Sequence, residues 1–221
     1  MNTTTQACEL TKSCAVRPIK LYRHPISGHC HRVELFLSLL GRPVELIHVD
    51  LMTKAQKTAE FLAMNPFGQV PVIQDGDVTV NDANAILVYL AHKYAPNTWL
   101  PLDPAKAAEV QRWLSVAAGL LAFGPATARL VVLFKLPISN VEAIDRANSL
   151  FGVMEKILTA APFLTGENPT LADVANYSYI AHAPEGFISI QPYPNLRAWL
   201  KRIEALSGFV PMMVSPVGLN A

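Results

Sequence analysis

The chain lacks the features that would point to a polyanionic, metallic or membrane partner. Eighteen Lys and Arg stand against seventeen Asp and Glu, a net charge of +1. With no basic excess, nothing in the composition calls for nucleic acid or an anionic membrane as partner. Only three cysteines occur, Cys8, Cys14 and Cys30. An odd number without metal-ligand spacing argues against a disulfide framework and fits a reducing compartment, so a cytoplasmic location is expected. Long apolar runs are missing too. The longest uncharged apolar stretch, Trp113 to Ala128, lies between Arg112 and Arg129 and contains Ser115, Gly119, Gly124, Pro125 and Thr127. It is shorter than the roughly 20 residues that span a bilayer, and reads as a buried core helix at or near a subunit interface. Residues 1–17 carry no apolar block of a secretory signal and are expected to form a poorly ordered tail.

What is present is a chain of 221 residues with 51% hydrophobic content, enough for one large or two small domains. Ile19-Lys20-Leu21-Tyr22 reads as a first strand. A polar turn follows, then Val33, Phe36, Leu37 and Leu40 recur at helical spacing until Gly41. A second strand is expected over 44–49 and a short polar helix over 54–64. Asn65-Pro-Phe-Gly-Gln-Val-Pro71-Val72 is the most informative stretch. Pro71 cannot donate to a sheet ladder, yet a strand follows it, and such a proline often marks a cis bond at a functional site. Val72-Ile73-Gln74 then leads into an Asp75-Gly76 hairpin turn and a strand around Val78–Val80. Ala83, Ile86, Leu87, Leu90, Ala91 and Tyr94 form one apolar helical face. The order β-α-β-α-β-β-α predicts a mixed sheet over 18–95. A proline-rich linker follows at 96–104, and 105–221 reads as all helical: 105–134 with a kink at Pro125, 141–160, 170–183 and 194–206. In the third of these, Thr170 and Asp173 fit a capping box. No internal repeat is present.

The motif 65–71, followed by Asn84-Ala-Ile-Leu-Val-Tyr-Leu90 and by Leu164-Thr-Gly-Glu-Asn-Pro-Thr-Leu-Ala-Asp173, resembles the cytosolic glutathione S-transferases over roughly residues 19–212. His24-Pro-Ile-Ser-Gly-His-Cys-His-Arg32 and the ending Ser207-Gly-Phe-Val-Pro-Met212 look most like bacterial members. The resemblance implies a thioredoxin-like, glutathione-binding domain over 18–95 and an all-α C-terminal domain. It also implies a cytoplasmic detoxification enzyme, a homodimer that conjugates glutathione to a hydrophobic small-molecule electrophile, with no metal.

That reaction needs a thiolate at neutral pH, whereas a free thiol has a pKa near ~8.5. A hydroxyl donor and a helix N-terminus facing the sulfur both favour the anion. Ser27 stands where the resemblance puts that donor; its plainer role is a helix N-cap. Cys30 makes Ser-Gly-His-Cys, like a thioredoxin Cys-x-x-Cys with its first thiol replaced. It is either a small buried residue or a thiol for disulfide exchange. His24, His29 and His31 suggest a metal cluster, but His29 and His31 at i, i+2 do not share a helix face and no acidic or Cys partner is in step. No metal is therefore expected, and His29 is a pocket-wall candidate.

By resemblance, Lys57 matches the base that holds the glycine carboxylate of glutathione, although it also fits a solvated helix charge. Gln69 and Val70 flank Pro71, and the Val70 backbone is expected to pair with the cysteinyl unit as an added strand. Asp82 matches the acid of the family's acid–Ser pair for the γ-glutamyl end. The chain departs at the serine, which is Ala83. A hydrogen bond to a charged group is worth about 1.5–3 kcal/mol, so binding is expected to weaken roughly 10- to 100-fold. Ile26, Trp113, Phe123 and Arg129 are the candidates for the second-substrate pocket, with core packing as their plainer reading. Two alternatives stay open: a glutathione-dependent thiol–disulfide reductase or peroxidase using Cys30, and a non-catalytic binding protein on the same fold.

Overall fold

The computed structural model describes residues 17–219. Cys8, Cys14 and nearly all of the expected tail fall outside the described residues. The first half of the chain folds as β1 (Ile19–Arg23), α1 (Gly28–Leu39), β2 (Val44–His48), α2 (Ala59–Met64), β3 (Val72–Asp75), β4 (Val78–Asn81) and α3 (Ala83–Tyr94). The strands lie in the order β2-β1-β3-β4. β1 runs parallel to β2, and β3 is antiparallel to both β1 and β4. A parallel pair needs a crossover, which α1 supplies. Ile19, Leu21 and Ile73 of the sheet pack with Val33, Phe36 and Leu37 of α1 and with Ile86, Leu87 and Leu90 of α3, all at most 1% exposed. The other side of the sheet holds a smaller cluster of Val49, Phe61 and Val72.

Local chemistry sets the element ends. Gly41 adopts φ 61° just past the end of α1, a left-handed stop that glycine takes without strain. The β3–β4 hairpin turns one residue later than expected. Asp75 pairs with Val78, which leaves Gly76-Asp77 as the loop. Gly76 leads it with φ 62°, because the loop needs its positive-φ residue first. The helix expected over 54–64 is split into a 3₁₀ turn, Ala55–Lys57, and α2. Thr58 is extended, and its hydroxyl accepts the Phe61 N–H at 3.3 Å, so a new helix starts there.

The second half is helical: α4 (Pro104–Ala118), α5 (Thr127–Leu133), α6 (Val141–Ile157), α7 (Leu171–Ala181) and α8 (Pro194–Glu204). The last proline of the expected linker opens α4, capped by Asp103, whose carboxylate accepts the Lys106 N–H. The single helix expected over 105–134 is interrupted twice, at Gly119 (φ −109°, ψ −92°), which ends α4, and by a π-helical turn at Ala122–Ala126 around Pro125. Pro125 has no N–H to give to the preceding turn, and at the end of the π turn the Thr127 hydroxyl donates to the Ala122 carbonyl at 2.9 Å. By length and composition the span Pro104–Leu133 could cross a membrane. Here α4 packs on α7, and α5 packs on the 3₁₀ turn Ala183–Gly186.

α7 is buried along Leu171–Ile180. At its start Asp173 Oδ2 accepts the Thr170 N–H at 2.8 Å, while the Thr170 hydroxyl accepts from Ala172. Asp173 Oδ1 also takes the Leu164 N–H and the Trp199 indole N–H, so one carboxylate joins a loop, α7 and α8. One apolar core runs through both halves. Polar ties cross the same boundary. His31 on α1 bonds Ser178 on α7 at 2.8 Å and the Val210 carbonyl at 2.9 Å. The Asn84 side chain accepts from Arg32 and donates to the Leu114 carbonyl.

Candidate functional site

A cleft of about 550 Å³ opens between the halves. The sheet side supplies Ile26, Ser27 and His29 from the start of α1, Gln69, Val70 and Pro71 from the loop before β3, and Asp82 and Ala83 from the start of α3. The helical side supplies Arg129, Leu130, Phe134 and Tyr179. Two helix N-termini therefore face one cavity, an arrangement that favours a ligand with anionic groups.

Ser27 is the N-cap of α1, with φ −84° and ψ 116°. Its Oγ accepts the Cys30 N–H at 3.3 Å. A hydroxyl accepts and donates at once, so capping leaves its proton free for a ligand. The two roles open in the sequence are compatible in this geometry. The loop 65–71 is held from inside. Asn65, 3% exposed, donates to the Gln69 carbonyl at 2.8 Å and accepts the Phe67 N–H at 3.1 Å. The Val70–Pro71 bond is cis.

At the third wall, Asp82 Oδ1 accepts the Asn84 and Ala85 N–H groups at 2.9 Å each. The Ala83 N–H, first in the helix, is left for a ligand. Asp82 holds φ 72°, a conformation that costs a non-glycine residue about 1 kcal/mol or more and tends to occur at functional sites.

Other sequence candidates lie elsewhere. Cys30 does not line the cleft; it is 1% exposed, and burial pushes its thiol up to about 11. His29 does line it, and burial, with Arg32 nearby, lowers its imidazole to about 3, so it is neutral. Lys57 stands just outside, donating to the Phe67 carbonyl at 3.1 Å. Trp113 and Phe123 need correction. Trp113 is 2% exposed and borders an apolar groove between α4 and α6, and Phe123, 60% exposed, sits on the outer surface. Both lie before or within the π turn and face away from the cleft, whereas Arg129, Leu130 and Phe134, beyond it, face in. Among the described residues no three His, Cys, Asp or Glu side chains are grouped to hold a metal.

Arg129 is 2% exposed and ion-paired through Nε to Glu185. Its Nη1 donates to the Ile26 carbonyl at 2.6 Å, bracing the loop that carries Ser27. Burial alone would raise the Glu185 carboxyl, but the Ser215 N–H at 2.6 Å and the Arg129 guanidinium hold it below its ordinary value. Sequence reading missed Tyr179 altogether. The available signal was the run Asn176-Tyr-Ser-Tyr179 inside an otherwise apolar helix, since buried polar groups need partners.

Comparison with known proteins agrees with this geometry. Residues 17–92 match the model of the glutathione S-transferase N-terminal domain, and residues 105–207 match that of the C-terminal domain. Human glutathione S-transferase theta-2 is 33% identical over 202 residues, covering 86% of this chain and 82% of that one. The crystal structure of a glutathione S-transferase from Pseudomonas fluorescens Pf-5 superposes with TM-score 0.83 at 33% identity, covering 90% of this chain and all of that one. A glutathione transferase homologue from Drosophila mojavensis, solved with bound glutathione, gives TM-score 0.77 at 29% identity, covering 86% and 88% of the two chains. The chain belongs to the glutathione S-transferase family, with its thioredoxin-like N-terminal domain and helical C-terminal domain.

Proposed function

We propose that this protein is a cytoplasmic, homodimeric glutathione transferase that uses Ser27 to hold the glutathione thiolate and adds it to a hydrophobic electrophile. The observation that carries the reading is that the Ser27 hydroxyl, with a proton to spare, shares one cleft with the Val70 backbone edge and the free N–H of Ala83. A γ-Glu-Cys-Gly peptide fits that spacing of chemistry. Its γ-glutamyl carboxylate goes to the start of α3, and its cysteinyl backbone pairs with Val70. Its sulfur goes to the start of α1, and its glycine carboxylate lies toward Gln69 and Lys57. The bound glutathione of the Drosophila mojavensis homologue supports the ligand class.

Leu130, Phe134 and Ile26 give the rest of the cleft an apolar surface, which suits a hydrophobic second substrate. Exposed Leu120 and Val153 beside the apolar α4–α6 groove support self-association through that face. Disulfide chemistry at Cys30 has no comparable support, because its thiol is buried and protonated.

Calorimetric titration with glutathione, paired with conjugation of an activated aryl chloride, tests the assignment. Saturable binding and turnover that survive Cys30→Ser are expected. Absence of both binding and turnover would mean a non-catalytic protein on this fold.

A further inference from the structure

We propose that Tyr179, carried by α7 of the helical half, is a catalytic residue that donates a second hydroxyl hydrogen bond to the thiolate held at the start of α1. The inference rests on the glutathione reading above, and it adds a donor from the other domain to the one assigned to Ser27. Its first support is position. The outer edge of the Tyr179 ring lies on Gly28, the residue after Ser27. A Cβ at Gly28 would come within 2.8 Å of ring atoms Cε1 and Cζ, so the close approach depends on glycine there. His29 meets the ring edge-on, with centroids 5.0 Å apart, and fixes its plane. Tyr179 also lines the cleft.

Hydrogen bonding is the second support. The first N–H groups of a helix have no partner inside it. In α1 the Cys30 N–H goes to Ser27 Oγ, and the Tyr179 ring borders the same helical turn at Gly28 and His29. Among the described residues no group accepts the phenol proton. Ser27 is in the same condition. Two hydroxyls beside the same helical turn open on the same cleft, with one proton apiece to give.

The surrounding charges fit a donor. Burial raises the phenol above its ordinary value, against the pull of Arg32 and Arg129, so Tyr179 keeps its proton at neutral pH. The Arg32 guanidinium is fully buried with its Cζ 6.0 Å from the ring centroid. His29 is neutral, and Cys30 is a protonated thiol. No carboxylate therefore competes for the phenol proton from the elements packed against it. In the reaction the glutathione thiol loses its proton to solvent, and Tyr179 retains its own while bonding the sulfur anion.

Tyr179→Phe tests this, because it keeps the ring on Gly28 and removes only the hydroxyl. The readout is the apparent pKa of bound glutathione, followed by the ultraviolet absorbance of its thiolate across a pH series. The expected result is a rise of about one unit, a roughly tenfold lower kcat/KM at neutral pH, and an affinity at low pH, where the thiol is neutral, within about twofold of wild type. Combining it with Ser27→Ala should raise the pKa further than either change alone. An unmoved thiol pKa overturns the proposal, whether activity is kept or falls only in step with thermal stability. If wild-type protein shows no thiolate signal with glutathione at any pH, the functional reading itself fails and this inference with it.

Discussion

Two helix starts face the same cleft, and they are capped in opposite ways. α1 begins with Ser27, a neutral cap in an ordinary backbone conformation, which accepts one N–H and can still donate. α3 begins with Asp82, a charged cap at φ 72°, which can only accept and already takes two N–H groups through one oxygen. The first start is also braced from the other half of the molecule, by Arg129 on the Ile26 carbonyl and by the Tyr179 ring on Gly28. The second is braced mainly through Asn84, two residues on in the same first turn. A cap that can donate suits a group whose charge must be created, such as a thiolate. A cap that only accepts suits an ammonium group, leaving the backbone N–H of Ala83 for a charge that is already present.

The largest expected effect is on the bracing. Glu185→Ala leaves Arg129 buried without its partner, and breaking such a pair costs about 3–5 kcal/mol. Chemical denaturation should report that loss. Glutathione binding should also weaken, because the Ile26–Ser27 loop loses its support; unchanged stability would show that the pair is dispensable.

Ser27→Ala comes next. Loss of a hydrogen bond to a charged sulfur is worth about 1.5–3 kcal/mol, so kcat/KM should fall roughly 10- to 100-fold. Asp82→Ala instead should raise the Kd for glutathione while leaving the bound thiol's pKa in place. If the two variants behaved alike in a steady-state and titration comparison, the distinction between the two caps would collapse.

Ala83→Ser restores a hydroxyl at the weaker start and should tighten glutathione about tenfold, as read by calorimetry. No change would mean that the N–H of residue 83 and Asp82 already satisfy the γ-glutamyl end.

Smallest at neutral pH is the contribution of His31, which ties α1 to α7, is lowered to about 4, chiefly by burial, and acts only as the solution is acidified. A histidine depressed in the folded state binds its proton more readily when unfolded. Stability should therefore be full above about pH 6.5 and decline as pH falls toward 4, by at most about 1.4 kcal/mol per unit from this group. Urea midpoints across that window, with His31→Gln flattening part of the slope, check it.

Part of the sheet-side wall was legible in the sequence because its chemistry is local: Ser27 reads as a helix cap and Pro71 as a proline ahead of a strand. Val70, Asp82 and Ala83 came instead from the family resemblance, which cap and turn chemistry alone would not have singled out. Most helix limits followed from apolar spacing in the same way. The helical wall was not legible. Whether Trp113, Phe123 or Arg129 faces the cleft depends on helical phase across Pro125, and the packing of α7 on Gly28 depends on the docking of two halves. Spacing within one segment records neither. Thr58, whose hydroxyl restarts the helix, was missed for a smaller reason: a threonine amid polar neighbours gives no contrast.

The π-helical turn at Ala122–Ala126 has a further consequence. Such a turn amounts to one residue added to a regular helix, and each residue advances an α-helix by about 100°. Everything after it is rotated as a block relative to the residues just before it, on top of the break at Gly119 (φ −109°, ψ −92°) that already ends α4. Removing a single residue from the turn, with Pro125 the natural choice, would let the ladder close and swing Arg129 and Leu130 out of the cleft while the composition of its walls stayed nearly unchanged. The orientation of the second-substrate wall is in this sense a matter of counting. A family member that differs only in the number of residues here would present the same side chains to a different side of the molecule.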